Sequence, residues 1–276
     1  MRIYIAVDME GISGIVIREQ VFKGERVYEE SRHLLVGDVN AAVQGALDGG
    51  ADEVLVVDAH GDGFNFIPED LHEAAQYIIG GGRQERFPFL VGSDALFLVG
   101  YHAMAGTENA IRDHTMSSAN WQDFMLNGET VGEISIDAAV AGYFGVPVAL
   151  VTGDDKACAE AERFLPGVET AVVKWGLGRH SGRILAPKRA RQIIRSQAAV
   201  ATRRAKELPP YRIAPPITVR LRYTGTDLID RKAFDETTTI KIDGRTVEYR
   251  GDDLLEVLSR CAIQPYSPAA RAVGRP

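Results

Sequence analysis

Short apolar runs alternate with amphipathic segments along most of the chain. Residues 3–7, 54–57 and 95–99 are nearly continuous apolar runs, which is the pattern of strands buried on both faces of a sheet. Between the first two runs, residues 29–47 carry apolar side chains at helical spacing, and a glycine pair at 49–50 ends the segment. This order predicts an α/β fold with a mainly parallel sheet flanked by helices.

The other predicted elements before residue 209 are shorter and are bounded by glycine, proline or asparagine. They are helices over 68–75, 133–144 and 187–205, strands over 77–79, 146–151 and 171–173, a hairpin over 121–131, and a glycine-rich, basic loop through residue 183. Asn127-Gly128 is the turn sequence that a two-residue hairpin prefers. Asp154 or Asp155 is expected to cap the helix that follows Gly153.

Two proline pairs between residues 209 and 216 mark a linker. Beyond it, strand-like segments and a helix over 252–261 form a compact set. We therefore predict two domains, an α/β domain over residues 1–208 and a smaller C-terminal α+β domain over residues 209–276. The tail beyond Pro265 is expected to be poorly ordered or docked on a neighbouring subunit.

Composition and charge argue against several functional classes. The net charge of −7 over 276 residues does not suggest nucleic-acid binding, which requires an extended basic face. The longest apolar runs are strand-length, well short of the about 20 residues of a membrane span. The chain enters its first strand without a basic or apolar leader, and Cys158 and Cys261 are too few for a disulfide framework. We expect a cytoplasmic protein with no nucleic-acid or membrane partner.

Two carboxylates follow the first predicted strand. Asp8 and Glu10 are two residues apart, so in extended backbone they share a face, and Gly11 and Gly14 let the chain turn beside them. Neighbouring carboxylates repel one another, and a bound cation relieves the repulsion. The alternative is that Asp8 caps a turn and Glu10 is solvated.

Further side chains of metal-ligand type stand at the ends of other elements. His60 and His102 follow the next two buried strands, and Glu133 lies in the first turn of a predicted helix. The carboxyl ends of parallel strands meet at one edge of a sheet, so these side chains can converge with Asp8 and Glu10. Two imidazoles and three carboxylates exceed the needs of one zinc ion and suit two ions that share a carboxylate, as in many hydrolases.

Other candidates compete with this set. Asp58 and Asp62 are alternative ligands near His60, and Asp58 could instead orient a ligating imidazole. His33 and His72 lie in predicted helices and are expected to be surface or packing residues. His114 stands in a polar loop, where a single histidine is weak evidence for a site.

Several motifs together resemble those of a known family. They are Val7-Asp8-Met9-Glu10-Gly11-Ile12-Ser13-Gly14, Asp58-Ala59-His60, Gly100-Tyr101-His102-Ala103, His114 and Val131-Gly132-Glu133. In order and approximate spacing they are similar to the zinc-dependent D-aminopeptidases of the dipeptide-transport type. The resemblance implies two zinc ions per subunit, held by Asp8, Glu10, His60, His102 and Glu133. It also implies that His114 is the catalytic histidine, acting as a nucleophile or general base.

The same resemblance implies a substrate and an assembly. The family acts on short peptides with an N-terminal D-residue, typically D-Ala, and its members form homo-oligomers, namely ring-shaped decamers that enclose the active sites. We therefore expect a short D-peptide as substrate and a ring decamer of this chain.

Three functions remain open from the residues themselves. The first is a two-metal aminopeptidase, and the second is a metal-dependent hydrolase of another small amide or a phosphoester, since the same centre supports both reactions. The third is a non-catalytic ring or scaffold protein with a structural metal, although so many carboxylates are unusual for a structural zinc site. Ligand types alone leave zinc, manganese and cobalt open.

Overall fold

The computed structural model describes residues 1–83, 85–230 and 232–263. The strands are Arg2–Val7 (β1), Glu53–Asp58 (β2), Gln76–Ile78 (β3), Ala95–Tyr101 (β4), Trp121–Leu126 (β5), Glu129–Thr130 (β6), Val148–Asp154 (β7), Glu169–Gly178 (β8), Ser181–Ile184 (β9), Ile217–Tyr223 (β10), Thr239–Lys241 (β11) and Thr246–Gly251 (β12). The α-helices are Tyr28–Asp48 (α1), Glu133–Tyr143 (α2), Asp155–Phe164 (α3), Pro187–Arg204 (α4) and Leu254–Arg260 (α5).

The larger sheet has the order β3-β2-β1-β4-β7-β8-β9 and is parallel except for β9. β1 lies between β2 and β4, and Val7 pairs with Asp58 on one side and with Val99 on the other. The three strands therefore end at nearly the same level, so the residues that follow them meet at one edge. The predicted α/β class with a mainly parallel sheet is confirmed.

Alternate side chains of β1 face two different cores. Ile3 and Ile5 pack with apolar residues of α1 and α4, whereas Tyr4 and Ala6 belong to the core that contains α2, α3 and the second sheet. Successive strand side chains point to opposite faces, so an all-apolar strand must be covered on both sides. The sheet is therefore the middle layer of the molecule, with an apolar core on each face.

The second sheet is antiparallel, with the order β11-β12-β10-β5-β6, and α5 packs against it. The predicted hairpin over 121–131 is present as β5 and β6, and β5 pairs with β10. The sheet thus takes strands from both sides of residue 208, and its side chains share a core with the larger sheet. The division into 1–208 and 209–276 stays a prediction.

Two local predictions are wrong. Residues 68–75 form only a 3₁₀ turn at Pro68–Asp70, because Leu71 is extended and the side chain of Asn40 bonds to the backbone of Asp70 and His72. The predicted loop through residue 183 is instead the hairpin of β8 and β9. Two of its glycines permit close packing, since a Cβ would lie 1.9 Å from the Asn109 carbonyl oxygen at Gly176 and 2.5 Å from the Ile111 side chain at Gly182.

Other predictions hold. α1 spans the predicted amphipathic segment, and the Asp154 carboxylate accepts hydrogen bonds from the backbone N–H groups of Lys156 and Ala157, so it caps α3. His33 lies in α1 with an exposed side chain, as predicted. His72 does not lie in a helix, because it follows the 3₁₀ turn, but its Nε2 is 3.1 Å from Oε1 of Gln44, so it is a packing residue as expected. The tail beyond Pro265 lies outside the described residues. Over the ranges described, no helix combines the length and apolarity needed to cross a bilayer.

Candidate metal centre

The loop after β1 is fixed by contacts to two other strands. Gly11 donates its N–H to the Gly100 carbonyl at 2.7 Å, and a Cβ at Gly11 would lie 1.9 Å from the carbonyl oxygen of Tyr101. On the other side Lys174 of β8, which is fully buried, uses Nζ to bond three backbone carbonyls, those of Glu10 (2.6 Å), Ile12 (2.9 Å) and Ile15 (2.6 Å). These contacts fix where Asp8 and Glu10 project.

His60 and the two carboxylates after β1 form the first ligand group. Nδ1 of His60 lies 3.1 Å from Oδ1 of Asp8 and 3.1 Å from Oε2 of Glu10. The other ring nitrogen, Nε2, is 2.9 Å from the Val21 carbonyl, to which it donates. That bond fixes the tautomer and leaves the Nδ1 lone pair facing the carboxylates, as in a typical metal-ligating histidine. The ligand atoms of the group lie within 4.8 Å of one another.

His102 and Glu133 belong to the second ligand group. Nε2 of His102 lies 3.3 Å from Oε1 of Glu133 and 3.4 Å from Oδ2 of Asp8, while its Nδ1 donates to the carbonyl of Ala103 at 3.0 Å. Glu133 begins α2, where a carboxylate interacts favourably with the helix dipole, and Oε1 accepts the N–H of Met116 at 2.7 Å.

Asp8 connects the two groups, since one carboxylate oxygen faces His60 and the other faces His102. Asp8 Oδ2, Glu10 Oε2 and His102 Nε2 are buried atoms that lack a hydrogen-bond partner within the described residues. Buried polar atoms are normally paired, so unpaired ones that converge on one place indicate an ion. Carboxylate oxygens and imidazole nitrogens are ligands that zinc accepts. The residues present therefore fit a pair of divalent metal ions with Asp8 shared.

The electrostatics of the centre favour a cation. Burial, and then the charge of Glu10, raise the pKa of Asp8. Burial opposes ionisation of Glu133 too, but His102 and His114 outweigh it and hold its pKa at about 2. Burial likewise opposes the charged form of His102, yet the carboxylates, led by Glu133, raise its pKa to about 10. The same field of carboxylates would stabilise metal ions.

His114 lies against the second group. Its ring stacks on that of His102, with centroids 3.9 Å apart and planes inclined by 11°, and its Nε2 is 3.5 Å from Oε1 of Glu133. Nδ1 donates to the Arg112 carbonyl at 2.9 Å, so Nε2 is the free ring nitrogen. Its position allows either metal ligation or proton transfer.

The two competing aspartates do not join the ligand groups. The Asp58 carboxylate accepts from the backbone N–H of His60 at 3.3 Å and from the side chain and backbone of Asn65, so it shapes the loop and does not touch the imidazole. Asp62 lies 3.4 Å from Nζ of Lys23, and both side chains are more than half exposed. Neither aspartate is within the two clusters of possible ligands.

Sequence patterns did not reveal two basic residues beside the centre, Lys174 and Arg86. A charged side chain within the apolar run of β8 was the available signal for Lys174. Burial lowers the pKa of this lysine to about 8. Arg86 stands in an irregular segment between β3 and β4, where no periodicity marks it, and its Nη2 lies 3.8 Å from Oε2 of Glu133.

A cavity of about 510 Å³ opens directly onto both ligand groups. Its walls include Asp8, Glu10, His60, His114 and Glu133. Cavities of this size hold small molecules, and convergent polar groups in them mark binding sites. A larger cavity of about 920 Å³ lies beside α2 and α5, but none of the candidate ligands lines it.

Comparison with known proteins agrees with this geometry. The chain matches the model of the D-aminopeptidase family, peptidase M55, over residues 1–262. It is 35% identical over 263 residues to the D-aminopeptidase of Bacillus subtilis (strain 168), and the match covers 93% of each chain. Its structure also matches that of the Zn-dependent D-aminopeptidase DppA from Bacillus subtilis, which is described as a self-compartmentalizing protease. The TM-score is 0.90 and the sequence identity 30%, and the match covers 99% of this chain and 98% of that one. This chain therefore belongs to the D-aminopeptidase family.

Proposed function

We propose that this protein is a two-metal aminopeptidase that hydrolyses the N-terminal D-amino acid, of the D-Ala type, from short peptides. The observation that carries the proposal is the pair of ligand groups joined through Asp8 at the end of three adjacent strands. Both groups border a cavity of about 510 Å³, large enough for a small substrate. Membership of the D-aminopeptidase family supports the reaction and its stereochemistry.

Zinc is the metal we propose, because the related DppA is described as Zn-dependent and the donors suit it. Asp8, Glu10 and His60 would hold one ion, and Asp8, His102 and Glu133 would hold the other. When bound, the two ions supply the Lewis acidity that polarises the scissile carbonyl and activates water. The bonds of His60 to Val21 and of His102 to Ala103 leave one lone pair of each ring facing the carboxylates that would hold the ions with it.

We assign proton transfer to His114. Its Nδ1 is committed to the Arg112 carbonyl, so Nε2 is the atom that can accept a proton during attack on the carbonyl and return it to the leaving nitrogen. The His114 side chain is 13% exposed and lines the cavity, whereas that of His102 is 1% exposed. The more accessible ring is the one placed to meet a substrate.

The proposal also includes the oligomeric assembly and the cellular location of the protein. A ring-shaped homodecamer is supported by the description of the related DppA as self-compartmentalizing. A cytoplasmic location is supported by Cys158 and Cys261, which are both buried and unpaired, as in proteins of reducing compartments.

A substrate panel tests the reaction class. The zinc-loaded protein would be assayed with D-Ala-Gly-Gly, L-Ala-Gly-Gly, D-alaninamide as a small amide and p-nitrophenyl phosphate as a phosphoester. We expect hydrolysis of D-Ala-Gly-Gly well above that of its L-isomer and no release of phosphate. A D8N variant, in which a neutral amide replaces the shared carboxylate, controls for contaminating peptidases. Release of phosphate without cleavage of either peptide would contradict the proposal.

A further inference from the structure

Arg86 is held in place by a buried aspartate of α2. Its Nε donates to Oδ1 of Asp137 at 2.6 Å, and its Nη2 donates to Oδ2 at 2.9 Å. Asp137 is fully buried and also accepts the hydroxyl of Tyr101 at 2.6 Å. A guanidinium bonded along one edge by two parallel hydrogen bonds has a fixed plane and direction.

The edge of the Arg86 guanidinium that does not face Asp137 can still bind a ligand. The bonds to Asp137 use Nε and one proton of Nη2, and over the described residues Nη1 donates to no protein group. A guanidinium has five N–H donors in one plane, so the edge formed by Nη1 and Nη2 can still bind a carboxylate through two bonds. The Arg86 side chain is 14% exposed and lines the cavity at the centre, beside Glu133.

Arg86 also lies where this cavity meets a smaller one. The second cavity, of about 310 Å³, shares Arg86, Met116 and Ser117 with the first and continues along Trp121 and Ile263. A peptide with its scissile bond at the ligand groups and its leaving residue beside Glu133 would therefore reach Arg86 next. The apolar wall beyond it offers room for the side chain of that residue.

Within the described ranges, the rest of the cavity wall offers no cation equivalent to Arg86. Among the described residues, the lysine and arginine side chains that line the cavity are Lys23 and Arg86. Lys23 is 64% exposed and lies 3.4 Å from the Asp62 carboxylate. An exposed ammonium that is already paired is a poorer anchor for a planar anion than a guanidinium whose plane is fixed.

We propose that Arg86 binds the C-terminal carboxylate of the peptide substrate and so determines the preference of the enzyme for very short peptides. The role rests on the proposed peptidase function. It adds a specificity residue outside the ligand groups, and it explains how the site would favour a peptide whose free carboxylate lies one residue beyond the scissile bond.

Two substrates that differ in one group test this role. The zinc-loaded wild type would be assayed with D-Ala-D-Ala and with its C-terminal amide, which has the same scissile bond and no carboxylate. We expect kcat/KM to fall by about 10- to 100-fold for the amide, mainly through KM, because a charge-assisted contact is lost. Equal values for the two substrates would overturn the role of Arg86 and leave the peptidase intact. Cleavage of neither substrate would count against the proposed function, and with it against this role.

The R86K variant separates recognition from structure. Lysine keeps a positive charge next to Asp137 but lacks the planar pair of donors, so the ratio of kcat/KM for the acid to that for the amide should fall towards one. A merely structural role would lower both values and leave the ratio unchanged, which would overturn the proposal. R83K is the matched control, since Arg83 lies in the same segment and bonds to the Asp58 carbonyl, and it should keep the wild-type ratio. Zinc content, measured for all three proteins, should be the same.

Discussion

The imidazole rings of His102 and His114 stack face to face, with centroids 3.9 Å apart and planes inclined by 11°. The two rings have different surroundings, because Nε2 of His102 faces both Asp8 and Glu133 and the more exposed His114 faces the cavity. We infer that His102 holds metal and that His114 moves protons.

The H114A variant tests this division of roles. We expect kcat to fall by about 10²- to 10⁴-fold, the usual contribution of a general acid–base group, with about two zinc ions per chain retained. Kinetics and elemental analysis of one preparation measure both. The H180A variant is the control, because His180 lies in the exposed turn between β8 and β9 and should keep full activity. Loss of zinc from H114A would show instead that His114 is a ligand.

Asp8 should matter for both metal ions, since its two oxygens face the two ligand groups. We expect D8A to lose both zinc ions, because neither group keeps its full set of ligands. H60A should lose the first ion and keep the second, as His102 and Glu133 do not contact His60 within the described residues. Zinc titration with a chromophoric chelator counts the bound ions. Retention of both ions by D8A would show that this carboxylate is not shared.

Replacement of Lys174 should weaken the centre without touching a ligand. In K174M three backbone carbonyls of residues 10–15 lose their buried donor, so we expect a loss of at least about 2 kcal/mol in the free energy of unfolding and weaker zinc binding. Denaturant unfolding and competition with a chelator measure the two effects. K156M removes a partly exposed lysine and should change stability by no more than about 0.5 kcal/mol. Equal zinc affinity in K174M and wild type would refute the positioning role.

Asp38 should make stability depend on pH. Its buried carboxylate accepts the N–H and hydroxyl of Ser13, at 2.8 and 2.7 Å, and burial raises its pKa from 3.8 to about 6. Because this carboxyl has a higher pKa in the folded state, its proton binding stabilises the fold fully below pH 3.8, the pKa expected in the unfolded chain. That stabilisation is lost as the pH rises through about 6, the folded pKa. Between these limits the wild type should lose about 3 kcal/mol more than D38N.

Urea unfolding of both proteins at pH 4 to 7 measures this difference. A chelator in all samples removes any contribution from zinc release. Parallel curves for wild type and D38N would show that Asp38 ionises in the folded protein as it does in the unfolded chain.

Local sequence was sufficient for the strands that carry the candidate ligands. β1 and β4 are apolar runs that end directly before Asp8 and His102, and β2 ends two residues before His60. A parallel sheet brings such strand ends together. The proximity of Asp8 to both histidines follows from the central position of β1 in the strand order, which no local pattern encodes.

The features that local sequence patterns did not predict depend on contacts between residues far apart in the chain. The hairpin of β5 and β6 was recognisable from Asn127-Gly128, but its pairing with β10 joins segments far apart in the chain. The role of Arg86 depends on its hydrogen bonds to Asp137, 51 positions later in the chain. The role of Lys174 depends on its hydrogen bonds to the loop after β1. In β8 and β9 glycines that resemble loop residues instead permit close packing.

The most direct test of the central claim is release of D-Ala from D-Ala-D-Ala and D-Ala-Gly-Gly, with the L-Ala isomers alongside. Each assay would be run on the protein as prepared, after chelation and after zinc is added back. We expect activity on the D-isomers that disappears with the chelator and returns with zinc. No activity on either isomer, from a preparation shown to hold about two metal ions per chain, would leave the metal centre in place and contradict the peptidase.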